Sequence, residues 1–352
     1  CRADGSAIAA DRASGDLFDD CLTGWVRVLL RFALCGDGGL AGTFASLAGW
    51  PGCAPCLCHG GCGAGIFCEE IAFIMNQTQP MEQPNEWEAL ILAGARGGEA
   101  NPVAAAAGVA LKAFVPIGGR AMVVCVAETL RASGGFARIR VSLPEDVEVA
   151  TACPDLAAAF AAGGVERVAA TTDSPAGSVA AVLADLEPGR KLLVTTADHP
   201  LLDVATVRGF QLEVAGRDVD AACALVRAAA VAEAFPDSRR TALRFREEAY
   251  VGCNLFALTA NAGGLSTVRF WQQLEVNRKH PVKMAAMLGW PTLLRFRMHR
   301  LGLDEAAVAL GRKVKAKIAA IEVKAATAGV DVDSVEDLEL VRGLILKNEL
   351  NR

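Results

Sequence analysis

What the chain has little of narrows its function first. It carries one tyrosine, no basic tract and a formal net charge of −5 over 352 residues. That leaves no cationic, aromatic-lined groove of the kind that holds nucleic acid. It has no run of about 18 uncharged apolar residues, so no segment is expected to span a membrane. The apolar stretch 22–35 carries Arg27 and Arg31 and reads as an amphipathic helix, not the core of a signal peptide. The expected location is cytoplasmic. With 53% apolar and 21% charged residues the chain has enough core to fold.

Lysine and methionine are absent from residues 1–74, which hold no convincing alternation of strands and helices. The cysteines are crowded there instead: eight of the twelve fall in the first 68 residues, including "CAPCLCHGGCGAGIFC". Cys53, Cys56, Cys62, Cys68 and His59 are soft ligands that suit zinc, but their spacing gives one tight pair and no second. The favoured reading places residues 1–80 as an extension outside the functional domain, which then spans 81–352 and begins near Met75 and Met81. A genuine metal module is the alternative.

From residue 86 the pattern changes to short apolar runs alternating with amphipathic stretches. Strands are expected at 88–93, 137–142, 165–170, 191–197, 219–226, 251–258 and 317–323, and helices near 120–133, 176–186 and 203–214. Such alternation predicts an α/β fold with a parallel sheet covered on both faces. Residues 264–318 read as mostly helical and basic, with Arg269, Arg278, Lys279, Lys283, Arg295, Arg297 and Arg300. At the last strand's end "DVDSVEDLELV" offers Ser334 as an N-cap with Asp337 three residues on, a variant of the capping box.

Chemistry in a parallel sheet gathers at the carboxyl ends of its strands. After the first strand comes "LAGARGG", where Gly94, Gly97 and Gly98 allow backbone amides close to phosphate oxygens and Arg96 adds a cation. It is neither a Walker loop nor a dinucleotide fingerprint. A long small-residue loop follows and ends at Lys112, a lysine opening an apolar run and therefore in need of an anionic partner. After the strand 191–197, Asp198 stands where a carboxylate holds Mg²⁺ beside phosphate oxygens. His199 has no histidine partner at metal spacing and reads as structural. Asp331 and Asp333 flank another strand end and either would supply a second carboxylate. Asp218-Val219-Asp220 begins a strand and ranks below them.

Taken in order, these stretches resemble a family. "LAGARGG…KAFVPIGGRAM" is similar to the L-A-G-G-x-G-x-R…P-K-x-L-x-P-I-x-G-x-P-M signature of the MobA-like NTP transferases. "SPAGSVAAVL" resembles the group's base-pocket segment, "TTADHPLLD" its metal element, and "DVDSVEDLELV" its closing motif, over residues 86–346. The resemblance implies a Rossmann-like three-layer αβα sandwich of the GT-A type with a helical, acceptor-side insertion at 264–318. It further implies Mg²⁺-dependent transfer of a nucleoside monophosphate from an NTP, CTP or GTP, to a phosphorylated small-molecule acceptor. Carried over by residue, Leu92, Ala93, Gly94 and Gly97 contact the nucleotide's phosphates, and Lys112 and Arg96 neutralise them. Asp198, with Asp331 or Asp333, holds the metal, and Gly177 and Ser178 lie near the base. The sequence departs from the signature at Ala95, Glu99, Leu111 and Ala121. Glu99 stands where the loop arginine is usual, so that either Glu99 points away from the triphosphate or Arg96 takes the arginine's role. A sugar transferase of similar fold, and a nucleotide-binding protein without catalysis, are the competing readings.

Overall fold

The computed structural model describes residues 86–94, 101–171, 174–277 and 280–350. The cysteine-rich segment with its candidate zinc ligands, and Ala95, Arg96, Gly97, Gly98 and Glu99, lie outside the described residues.

The first strand, β1 (Trp87–Leu92), is buried on both faces, as a strand in the middle of a covered parallel sheet must be, and Glu88 is its one charged residue. Its alternate residues feed different layers. Ala89 and Ile91 join a cluster with Met122, Leu130, Val207 and Phe210, whereas Leu90 packs with Val179, Leu183, Val268 and Trp271. The helices Met122–Ser133 and Val204–Ala215 therefore cover one face, and Pro175–Ala184 with Ala262–Val276 cover the other. That is a three-layer αβα sandwich. The first helix of the basic region is one of its layers; Pro281–Leu288, Trp290–Arg297 and Leu303–Val314 follow it.

A short hairpin follows β1, formed by β2 (Pro116–Ile117) and β3 (Arg120–Ala121). Its two-residue turn has Gly118 at φ 56° and Gly119 at φ 76°, the left-handed pair such a hairpin requires. The main sheet then continues with β4 (Phe136–Leu143), β5 (Glu166–Ala169), β6 (Lys191–Thr196), β7 (Ala221–Arg227), β8 (Leu243–Arg244), β9 (Ala249–Thr259) and β10 (Ile318–Val323). In space the order is β10-β7-β9-β6-β1-β4-β5, with β8 paired to β9. All neighbours are parallel except along β9, which runs antiparallel to β6, β7 and β8. From β1 the chain builds outward through β4 and β5, then returns to lay β6 on the other side of β1. The crevice between the carboxyl ends of β1 and β6 is the sheet's switch point, where doubly wound sheets bind ligands.

The segment before Lys112, expected as a flexible loop, contains a helix, Pro102–Ala107. Asn101 caps it by accepting from the Val103 and Ala104 amides at 3.0 and 3.2 Å, and Gly108 ends it at φ 68°. "NPVAAAAG" is thus a complete start and stop signal, with proline inside the start and glycine past the end.

Far from the crevice, Glu88 is 2% exposed in the middle of the sheet. Its Oε1 accepts from Arg138 Nη2 at 2.8 Å, and Oε2 lies 3.2 Å from Nη2 of the buried Arg140. Replacing Glu88 leaves the buried Arg140, among the described residues, with only Asp185, 68% exposed and 3.2 Å away, to offset its charge. Urea unfolding of Glu88→Gln is predicted to show a loss of about 3–5 kcal/mol; a loss below about 1 kcal/mol, the level of an exposed pair, would contradict this assignment.

Candidate active site

Three segments that are remote in sequence meet at the switch point. Lys112 opens a 3₁₀ turn, Lys112–Phe114, whose Ala113 and Phe114 are buried along with Val115 and Leu111. With its neighbours sunk in the core, the backbone at Lys112 is held at the crevice. Its Nζ donates to Asp198 Oδ2 at 2.8 Å and to Asp333 Oδ1 at 3.1 Å. The three side chains are 16%, 18% and 11% exposed, so the pairs are shielded from much of the solvent that would weaken them.

Asp198 leaves the end of β6, where the Ala197 amide bonds the Leu92 carbonyl at 3.0 Å and so joins the two strand ends. The backbone also ties the last motif to this point: the Val332 amide donates to the Asp198 carbonyl at 2.9 Å. Asp333 follows next in the chain. Its amide and that of Ser334 donate to Asp337 Oδ2 at 3.1 and 3.0 Å, while Ser334 Oγ accepts from the Asp337 amide at 3.1 Å. This is the capping box read from the sequence, at the start of the helix Val335–Leu350.

The structure brings Lys112, Asp198 and Asp333 together but separates Asp331 from them. Asp331 is 6% exposed, pairs with Arg240 through Oδ1 and accepts from Asn254 Nδ2 at 2.8 Å through Oδ2. The expectation that either aspartate would serve as second metal ligand therefore does not hold equally. The two carboxylates have different partners: Arg240 and Asn254 for Asp331, Lys112 for Asp333.

On the nucleotide side, Ala93 is buried and its amide bonds the Ser142 carbonyl at 3.0 Å, while Gly94 is exposed at the mouth of the crevice. Gly177 lies in the first turn of Pro175–Ala184, and its amide donates to the capping Ser174 at 2.8 Å. A Cβ at this position would fall 2.5 Å from Thr171 Oγ1, so only glycine lets the preceding loop close on the helix. Ser178 is buried and its Oγ accepts from the Thr171 amide at 3.0 Å; it fixes that loop. Glu275, from Ala262–Val276, accepts from the Ala176 amide at 3.3 Å and from Ser174 Oγ, a support for this loop that no sequence pattern announced.

Asp218 and Asp220 lie at the amino end of β7, away from the crevice. Asp218 pairs with Lys317, and Asp220 accepts from Asn261 Nδ2 at 2.7 Å and from the Lys317 amide at 2.7 Å, so both hold structure. Among the described residues, no group of three or more histidine, cysteine, aspartate or glutamate side chains is arranged to hold a metal alone.

His199 is 1% exposed beneath Asp198. Burial pushes its pKa below the usual value, with the Asp198 carboxylate pulling more weakly the other way.

The sheet's switch point holds a lysine and two carboxylates, and the chain's family is one of nucleotidyltransferases, which move a nucleotidyl group out of an NTP. The family model of the MobA-like NTP transferase domain matches residues 89–315, and the chain belongs to that family. Among solved structures, a hypothetical transferase from Thermus thermophilus is similar at 29% identity and a TM-score of 0.59, over 71% of this chain and 98% of that one. A CMP:2-keto-3-deoxy-manno-octonic acid synthetase complexed with CTP aligns at 16% identity and a TM-score of 0.46, over 74% of this chain and 99% of that one. A 4-diphosphocytidyl-2C-methyl-D-erythritol synthase from Anaerococcus prevotii aligns at 11% identity and a TM-score of 0.43, over 74% and 96%. No curated protein matches the chain. Among the described residues no helix is long and apolar enough to cross a membrane.

The buried imidazole generates a signed prediction. Below about pH 6.5 the unfolded chain protonates this histidine while the folded protein resists doing so, so its contribution to stability is lost as pH falls through that value. Unfolding free energies of the protein and of His199→Gln, measured above and below about pH 6.5, are predicted to move in the variant's favour at low pH. A difference independent of pH would show that the imidazole is not held neutral.

Proposed function

We propose that the chain transfers a nucleoside monophosphate from CTP or GTP to a phosphorylated small-molecule acceptor and releases pyrophosphate. A phosphate oxygen of the acceptor attacks the α-phosphorus in line. The new bond is a phosphoanhydride, and the bond to the β-phosphate oxygen breaks, its electron pair leaving with pyrophosphate.

The observation that carries this reading is the convergence of Asp198 and Asp333 on one ammonium nitrogen, at 2.8 and 3.1 Å. Two carboxylates that reach the same nitrogen concentrate negative charge at one point of the crevice, the setting a divalent cation needs. Asp198 Oδ1, buried and without a hydrogen-bond partner, is an oxygen of the right chemistry to bind one. These residues fit Mg²⁺, with the remaining ligands drawn from the triphosphate and water. The bound ion supplies charge neutralisation at the α-phosphate and at the departing pyrophosphate.

The protein's own work is positioning and electrostatics. Lys112 lies against the phosphates, where its charge offsets what accumulates on them as the bond breaks. The segment after β1 serves the triphosphate, with Gly94 and Gly97 admitting phosphate oxygens and Arg96 adding a cation. The start of Pro175–Ala184, opened by Gly177, borders the base, and Ser178 keeps that border in place. The helices after Val276 stand over the acceptor, whose phosphate suits their basic character.

Pyrophosphate release is the test, run with each NTP, Mg²⁺ and a panel of phosphorylated sugars, polyols and pterin precursors. Release is predicted with one NTP and one acceptor, and kcat/KM is predicted to fall by about 10²–10³ in Lys112→Met and in Asp198→Asn. Full activity in either variant would overturn the roles given to them.

A further inference from the structure

Asp333 does not hold its own position. The surrounding structure places it through a second cation that the reaction does not use. Arg240 lies in the loop between the helix Ala228–Ala234 and β8, with its side chain 5% exposed. One guanidinium nitrogen pairs with Asp331 Oδ1 and the other donates to Asp337 Oδ1 at 2.5 Å, while Nε donates to Ser238 Oγ at 2.9 Å. The two carboxylates it grips flank Asp333 on either side in the chain.

Asp337 connects the grip to the site, because its other oxygen accepts the Asp333 and Ser334 amides. A shift of Asp337 therefore moves the Asp333 backbone. Asp331 is anchored from the opposite direction by Asn254. That residue sits at a register shift of β9 against β7 and takes φ 47°, a left-handed conformation uncommon for any residue but glycine. Strain of this kind persists where the surroundings impose it. Here it aims Nδ2 at Asp331 Oδ2.

We infer that Arg240, with Asn254 and Asp337, is a positioning unit that sets Asp333 opposite Asp198 and thereby fixes the spacing of the metal carboxylates. Arginine suits the task because its rigid planar fork holds two carboxylates in one fixed geometry, which an ammonium on a flexible stem does not impose. The inference rests on the reading of Asp333 as a metal carboxylate, and its test separates the two ideas.

Two readouts are needed. The first is the rate at which a small amine-reactive ester acetylates Lys112, followed by peptide mass spectrometry, with Lys191 at the far end of β6 as internal control. The second is the Mn²⁺ concentration that gives half-maximal NTP binding. The variants are Arg240→Lys, Asp337→Asn and Asn254→Gly, beside Asp333→Asn. Glycine accepts the left-handed backbone at residue 254, so that variant keeps the fold while losing the side chain. Each clamp variant is predicted to raise Lys112 acetylation several-fold, toward the Asp333→Asn rate, without changing Lys191. The Mn²⁺ midpoint is predicted to rise about tenfold or more, as on loss of outer partners of metal ligands. A merely structural role would lower the melting temperature and leave both readouts of the folded protein unchanged. If Asp333→Asn alone alters Lys112, or if no variant does, the positioning unit is refuted. If acetylation follows the predicted order but the protein binds no NTP with Mn²⁺, the unit stands and the metal role of Asp333 falls.

Discussion

A shielded ammonium needs anionic partners, and the site is organised around that constraint. Lys112 is held near the core by its buried neighbours, and the cost of withdrawing its charge from water is offset only where carboxylates meet it. Asp198 and Asp333 do so from segments 86 and 221 residues away. The ion pairs therefore connect the hairpin region, the central strand β6 and the segment after the last strand. On the proposed function, the same arrangement sets negative charge toward a divalent cation and positive charge toward a phosphate.

The sheet explains why those three segments meet. β1 and β6 are adjacent and parallel, so the chain emerging from each reaches the same edge. The segment after β10 would lie strands away, but the Val332 amide brings it back to the Asp198 carbonyl. Charges on the opposite edge behave differently. Asp218, Asp220 and Lys317 satisfy one another and the backbone, and Glu88 with its arginines lies inside the sheet. These are structural charges; the charges at the carboxyl edge are the ones the proposed function assigns to a ligand.

Much of this was legible in the sequence because strong periodic signals coincide with the sheet. Each of the seven expected strands is present, with ends shifted by a residue or two, since a continuous apolar run such as "ALIL" marks a strand covered on both faces. Lys112 and Asp198 were legible because charge stood where burial was expected. Other features were not. The helix Pro102–Ala107 was hidden by its small residues, although Asn101, Pro102 and Gly108 carried the signal. The cap at Ser334 and Asp337 was legible, but choosing between Asp331 and Asp333 required their partners Arg240 and Lys112, 91 and 221 residues away. Arg240, Asn254 and Glu275 were invisible because each acts on partners about 80 to 100 residues away. Residue type alone does not reveal such partners.

The central claim is that the Lys112, Asp198 and Asp333 cluster is a metal–triphosphate site. Titration calorimetry of the protein with each NTP, with Mg²⁺ and with Mg²⁺ removed by chelation, tests it most directly. The account predicts that one NTP binds, and binds measurably only with Mg²⁺ present. Equal binding with and without the ion, or no binding of any NTP, would contradict it.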